Sequence, residues 1–233
     1  MRPLVALLFC CIAPALFAAT PTRIEATYDV STRGIKIAEI TEKFTRSGNR
    51  YSIESVTRPV GLLALFKPDT LRVTSEGDVT EAGLRPQNFV YKRSQEPTKD
   101  TAASFDWKRA ILTHTDHNGQ RTEPLPANAQ DRLSMLYQFG YMNLQNTNNA
   151  LTTHVSNGSK LDTREYSMQT KRKLTVPFGT LETFYLTTAA QKTPWKTEIW
   201  LASEKYNFPC KIEVTEDNGD QLSQVLTTLS ITP

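Results

Sequence analysis

The feature that most constrains this chain is a rhythm of short alternating segments, interrupted once. Ile24, Ala26, Tyr28 and Val30 alternate with polar residues, as a half-buried strand requires. Comparable runs follow at Ile35–Arg46, Arg50–Thr57, Thr70–Ser75, Gln87–Arg93, Ala102–Arg109 and Ala110–Asp116. They resume at Leu151–Ser156, Leu161–Val176, Leu181–Ala190, Trp195–Ala202, Pro209–Glu216 and Leu222–Ile231. Turn residues separate them: Gly34, Ser47-Gly48-Asn49, Gly77-Asp78, His117-Asn118-Gly119, Asn157-Gly158, Pro177-Phe178-Gly179 and Asp217-Asn218-Gly219. About a dozen strands at this spacing predict an all-β sandwich or barrel.

The interruption is Asn128–Met142. Leu133, Leu136, Tyr137, Gly140 and Tyr141 share one face of a 3.6-residue period, and Met135, Phe139 and Met142 form a second apolar stripe. Asn128 fits an N-cap and Asp131 the acidic N3 position. A helix apolar nearly all round is covered on more than one side. With strands before and after it, the pattern predicts a strongly curved antiparallel sheet, or incomplete barrel, around one central helix. A β-sandwich with an edge helix is the alternative. No linker or composition shift divides residues 20–233, so a single β-rich domain is expected.

The first 19 residues read as a secretory signal peptide. Arg2 is the basic n-region, Leu4–Leu16 the apolar stretch, and Ala18 and Ala19 small residues suited to cleavage. Phe9 before Cys10-Cys11 does not fit lipid attachment, and no later segment is apolar for long enough to span a membrane. The expected address is the periplasm. Losing Arg2 leaves 26 basic against 24 acidic residues, a net charge of +2 from the +3 of the whole chain. That near balance, with export, argues against nucleic acid as a partner. Cys210 alone remains after cleavage, so no internal disulfide is expected, and its strand setting suits a buried thiol.

Signs of chemistry are sparse. The sequence has no G-x-S-x-G, no P-loop and no G-x-G-x-x-G. His114 and His117, at a strand end and its turn, read as solvated turn residues, and with His154 they offer no converging ligand set, so no metal and no cofactor are expected. Ser134 lies inside the helix and fits a local cap. Asp106 and Asp131 would serve a hydrolase only if they met in one cleft. The basic run Lys171-Arg172-Lys173 fits a solvated sheet edge. What stands out is apolar. Arg58–Pro68, bracketed by Pro59 and Pro68, fits a greasy helical turn or loop, either closing the core or meeting a ligand or partner. Leu62, Leu63, Leu65, Phe66, Trp107, Met135 and Phe139 are the candidate ligand-binding residues, and no catalytic residue is assigned.

Several motifs occur in a distinctive order. They are Tyr28 with Gly34, Tyr51, Gly61-Leu62, Gly83-Leu84-Arg85-Pro86, Phe105-Asp106-Trp107, Asp131-Arg132-Leu133-Ser134 with Tyr137-Gln138, Pro177-Phe178-Gly179, and Ile199-Trp200-Leu201 followed by Phe208-Pro209. In this order, from Tyr28 to Leu229, the chain resembles the bacterial exported family catalogued as domain of unknown function 3108. The resemblance implies a β-rich periplasmic protein, similar in architecture to lipoprotein carriers whose incomplete barrel surrounds helices. It brings no catalytic residues. The expected function is a non-enzymatic binder or carrier of an apolar or amphiphilic envelope molecule. An envelope protein-interaction or assembly factor is the alternative, and a hydrolase the third.

Overall fold

A computed structural model describes residues 20–146, 150–188 and 195–233. The expected signal peptide lies outside these residues. Among these residues, fifteen strands form one curved, unclosed sheet. The first meander holds β1 (Arg23–Thr32), β2 (Ile35–Ser47), β3 (Arg50–Pro59), β4 (Leu71–Thr80), β5 (Gly83–Arg93), β6 (Thr101–Asp106), β7 (Ile111–Asp116) and β8 (Gly119–Pro124). After a two-residue strand β9 (Gln130–Asp131), the second holds β10 (Ala150–Ser156), β11 (Leu161–Val176), β12 (Gly179–Thr188), β13 (Lys196–Ala202), β14 (Phe208–Thr215) and β15 (Gln221–Thr232).

The strand order runs from β8 down to β1, then from β15 down to β9. The two meanders are therefore joined where the first strand pairs with the last, Arg23 opposite Thr232 through Thr32 opposite Leu222. Neighbours are antiparallel except β9 and β10. The expected alternation appears as burial: Ile24, Ala26, Tyr28 and Val30 of β1 all face the core.

Three sequence readings change. Gly77-Asp78 is not a turn. β4 continues through it with a register shift opposite Pro86. A Cβ at Gly77 would stand 2.2 Å from the Arg85 carbonyl oxygen, so only glycine permits this bulge. Between the His117-Asn118-Gly119 turn and the helix segment, where no strand is expected, the chain forms β8, which is polar and exposed along most of its length. The helix predicted over Asn128–Met142 is a compact plug. It consists of α2 (Ser134–Gln138), continued by a 3-10 turn over Phe139–Tyr141. Gln130 and Asp131 are drawn into the sheet beside Val155 and Ser156, so Asn128 caps nothing.

The plug is apolar all round because it separates two cores. Leu133 and Tyr137 belong to one, with Phe44, Tyr51 and Phe208, and Met135 and Phe139 belong to the other, with Leu186, Ile199 and Leu201. Tyr137 is the keystone of the first. Its ring lies 5.3 Å from Phe44 and 5.5 Å from Phe208. Its hydroxyl donates to Glu42 Oε2 at 3.1 Å.

Candidate functional site

The sequence Asp131-Arg132-Leu133-Ser134 folds as a local turn whose polar groups satisfy one another. Asp131 Oδ1 accepts from the backbone N–H groups of Leu133 (2.8 Å) and Ser134 (2.7 Å), the free donors at the start of α2. Ser75 Oγ donates to Asp131 Oδ2, and Tyr51 Oη lies 3.0 Å from Ser75 Oγ. Burial raises the Asp131 pKa above the ordinary carboxylate value against these hydrogen bonds. Arg132 places its guanidinium 4.3 Å from the Tyr91 ring centroid. This polar ladder pins the plug to β3 and β4.

Two glutamines then tie the plug to the start of β5. Gln138 Oε1 accepts from Leu84 N at 2.7 Å while Nε2 donates to the Ala82 carbonyl at 2.8 Å. Gln130 Nε2 donates to the Leu84 carbonyl at 2.7 Å. Gly83 between them has φ +104°, and a Cβ there would meet Gln138 Oε1 at 2.4 Å. The motif Gly83-Leu84-Arg85-Pro86 is thus the dock for the plug. Pro86 offers its carbonyl to Trp107 Nε1 at 2.6 Å. Arg85 lies over the Trp107 ring, 4.9 Å from its centroid.

These contacts frame a cleft of about 880 Å³. Leu84, Trp107, Leu125, Met135, Tyr141, Met142 and Leu151 supply its apolar wall, and Arg85, Asn128, Gln130, Thr153 and His154 its polar one. Arg85 carries a full positive charge and no carboxylate is among the lining residues. A cleft of this volume, with apolar and polar residues sharing its wall, lies in the size range of small-molecule sites.

The candidate residues divide three ways. Trp107 and Met135 line the cleft. Phe139 is fully buried in the second core. Leu62, Leu63, Leu65 and Phe66 form α1 (Gly61–Phe66), with none of its residues buried. Leu62 is 74%, Leu65 76% and Phe66 84% exposed. The helix does not close the core; it stands out as a knob. It joins β3 to the Leu71 end of β4, whereas the cleft starts at Thr80 at the other end. Nine strand steps of ~3.3 Å separate these ends by roughly 30 Å.

His114 departs from its reading as a solvated turn residue. It sits mid-strand on the inner face of β7, 1% exposed, and Nε2 donates to Glu123 Oε1 at 2.6 Å. His117 is exposed in the turn, and His154 Nδ1 lies 3.0 Å from Thr163 Oγ1. Asp106 and Asp131 are each engaged separately, Asp106 with the backbone N–H groups of Lys108 and Arg109. Ser134 Oγ is taken by the Asp131 backbone. Cys210 is buried, its thiol donates to the Trp200 carbonyl, and burial pushes its pKa up to about 12. That setting suppresses thiolate chemistry. The run Lys171–Lys173 lies past Ser167, where β10 stops pairing with β11, so this part of β11 is a local edge. No cluster of three or more His, Cys, Asp or Glu suited to a metal occurs among the described residues.

Sheet and plug together define a class, the open β-barrel-like proteins with an internal helical turn. A crystal structure of a "beta-barrel-like protein of domain of unknown function DUF1849" from Brucella abortus shares this fold. It matches with a TM-score of 0.57 and 11% identity, covering 90% of this chain and 98% of the other. A second structure, described as a "putative lipoprotein" from Parabacteroides distasonis, matches with a TM-score of 0.35 and 9% identity over 91% of this chain and 96% of the other. Among curated proteins nothing matches. The chain belongs to the family described as "Protein of unknown function (DUF3108)", whose profile matches residues 27–227. No helix among the described residues is long and apolar enough to cross a membrane.

Proposed function

We propose that this protein is a non-enzymatic binder or carrier of an amphiphilic molecule in the bacterial periplasm, and that the molecule sits in the cleft between the β4–β5 turn, Trp107 and the plug. The observation that carries the reading is the cleft wall: apolar side chains beside neutral polar ones, one cation held over Trp107, and no lining carboxylate. Such a wall buries an acyl chain and meets an anionic head at its rim. The leader-like first 19 residues support the compartment. Native mass spectrometry of the protein purified gently from periplasm, with solvent extraction, is the test. A discrete extra mass that extracts as lipid, and that a Trp107→Ala variant loses, is the expected result. A bare protein mass for the wild type overturns the reading.

The exposed knob of α1 favours a second reading, an envelope assembly factor that docks a protein through Leu62, Leu65 and Phe66. Crosslinking from position 66 in intact cells separates the two. A single envelope partner captured there, together with an empty cleft, supports assembly.

A further inference from the structure

Two buried polar atoms in the cleft wall lack partners: Gln130 Oε1 and Thr153 Oγ1. Both residues are 5% exposed. The Gln130 amide orientation is fixed, because Nε2 must face the Leu84 carbonyl to donate to it. That leaves Oε1 as an acceptor without a donor. An unmatched buried polar atom is costly, and such atoms in native proteins call for an explanation.

Strand geometry relates the two. Gln130 of β9 stands beside Val155 of β10 in parallel register, and Thr153 lies two residues back on the same face. One strand across and two residues along makes the two residues diagonal neighbours on one face of the sheet. A trans secondary amide is planar, with N–H and C=O on opposite sides. It can therefore donate to one neighbour and accept from another at the same time, each through a hydrogen bond of ~2.9 Å. Its N–H matches Gln130 Oε1, and its carbonyl accepts from Thr153 Oγ1. A plain carboxylate has no proton for Gln130.

Building on the amphiphile reading of this cleft, we infer that the ligand is an N-acylated amphiphile whose amide is read by Gln130 and Thr153. Both atoms are covered from water, so entry of the amide parts the wall above them. Met135 and Met142 line the same cleft, and unbranched side chains of this kind re-pack readily.

The test uses two probes below their micelle concentrations, titrated calorimetrically into the mature protein. N-dodecanoylglycine has the amide N–H; N-dodecanoylsarcosine replaces it with N–CH₃ and keeps the chain and carboxylate. Wild type is expected to favour the glycine conjugate by about tenfold, the size of one buried acceptor left unmatched. Gln130→Met should reduce that preference to within about twofold. Thr153→Val, which removes no side-chain hydrogen bond within the protein, should weaken the glycine conjugate about tenfold while melting no lower than wild type. Equal affinity for the two probes, or a preference that survives Gln130→Met, overturns the amide assignment and leaves the amphiphile reading standing. Failure of both probes to bind wild type overturns both.

Discussion

The protein has two apolar surfaces that differ in shape, and shape decides what each can do. The α1 knob is convex: Leu62, Leu65 and Phe66 project from a six-residue helix with no buried residue. The cleft is concave, and its apolar wall is backed by hydrogen-bonded polar residues from the plug and β5. A convex patch removes little of a small molecule's surface from water and gains only against a large flat or grooved partner. A concave one surrounds a chain on several sides, so the same side-chain types bury more ligand area. Hydrophobic residues close together in a sequence list therefore belong to different tasks once the fold places them.

The contrast predicts how far each surface depends on the plug. Tyr137→Ala removes the ring shared by Phe44 and Phe208, and should cost about 3–5 kcal/mol in urea unfolding and abolish cleft binding. If the cleft survives that loss, the plug does not build it. The next effect is pH-dependent. Burial raises the pKa of Glu42, the acceptor for Tyr137 and Ser55, to about 7. In the unfolded chain it titrates near ~4.3. Between those values the folded state holds the extra proton, so stability falls as pH rises through the window and is flat above it with respect to this group. Glu42→Gln should remove that decline and gain about 2–3 kcal/mol at pH 8. An unchanged pH profile of urea midpoints would sink this.

Smaller effects separate the surfaces directly. Trp107→Ala should weaken binding of a 12-carbon anionic amphiphile by about tenfold, since it removes both an apolar wall and the platform under Arg85. Phe66→Asp combined with Leu65→Asp should leave that affinity within about twofold and stability within about 0.5 kcal/mol, as expected of exposed positions. Weaker retention on a hydrophobic-interaction column should be its main signature. A double variant that loses cleft binding would show that the two surfaces are coupled across the sheet.

Much of the fold was legible in the sequence, because a strand with one buried face writes its alternation into the chain. β8 was illegible for the converse reason: Gly119-Gln120-Arg121-Thr122 is exposed on both faces, so nothing alternates. The plug was overread as a long helix. Its second apolar stripe reflects burial between two cores, and periodicity cannot distinguish that from length. His114 was misread although its strand, Ala110–Asp116, was legible: a polar residue at an inward position looks like one near the turn until the fold buries it. Of the cleft, Trp107 and Met135 were visible as large apolar residues. Arg85, Gln130 and Thr153 were not, because a lone polar residue carries no pattern until the fold shows what surrounds it. The one available signal was the ordered motif Gly83-Leu84-Arg85-Pro86, whose role as a dock needs the positive φ at Gly83.

The pairing of β1 with β15 governs how such a chain comes to be folded. Thr22 and Thr232 bond to each other although 210 positions separate them. Each meander can assemble from near neighbours as the polypeptide emerges. Their union needs β15 to pair with β1, which makes the closing step one of high contact order. Until then β1 and β14 both offer open hydrogen-bonding rims, templates for pairing with other chains. A protein lacking Gln221–Thr232 would carry two sheets and four exposed rims in place of one sheet and two, so this strand covers edges that would otherwise invite pairing with other chains.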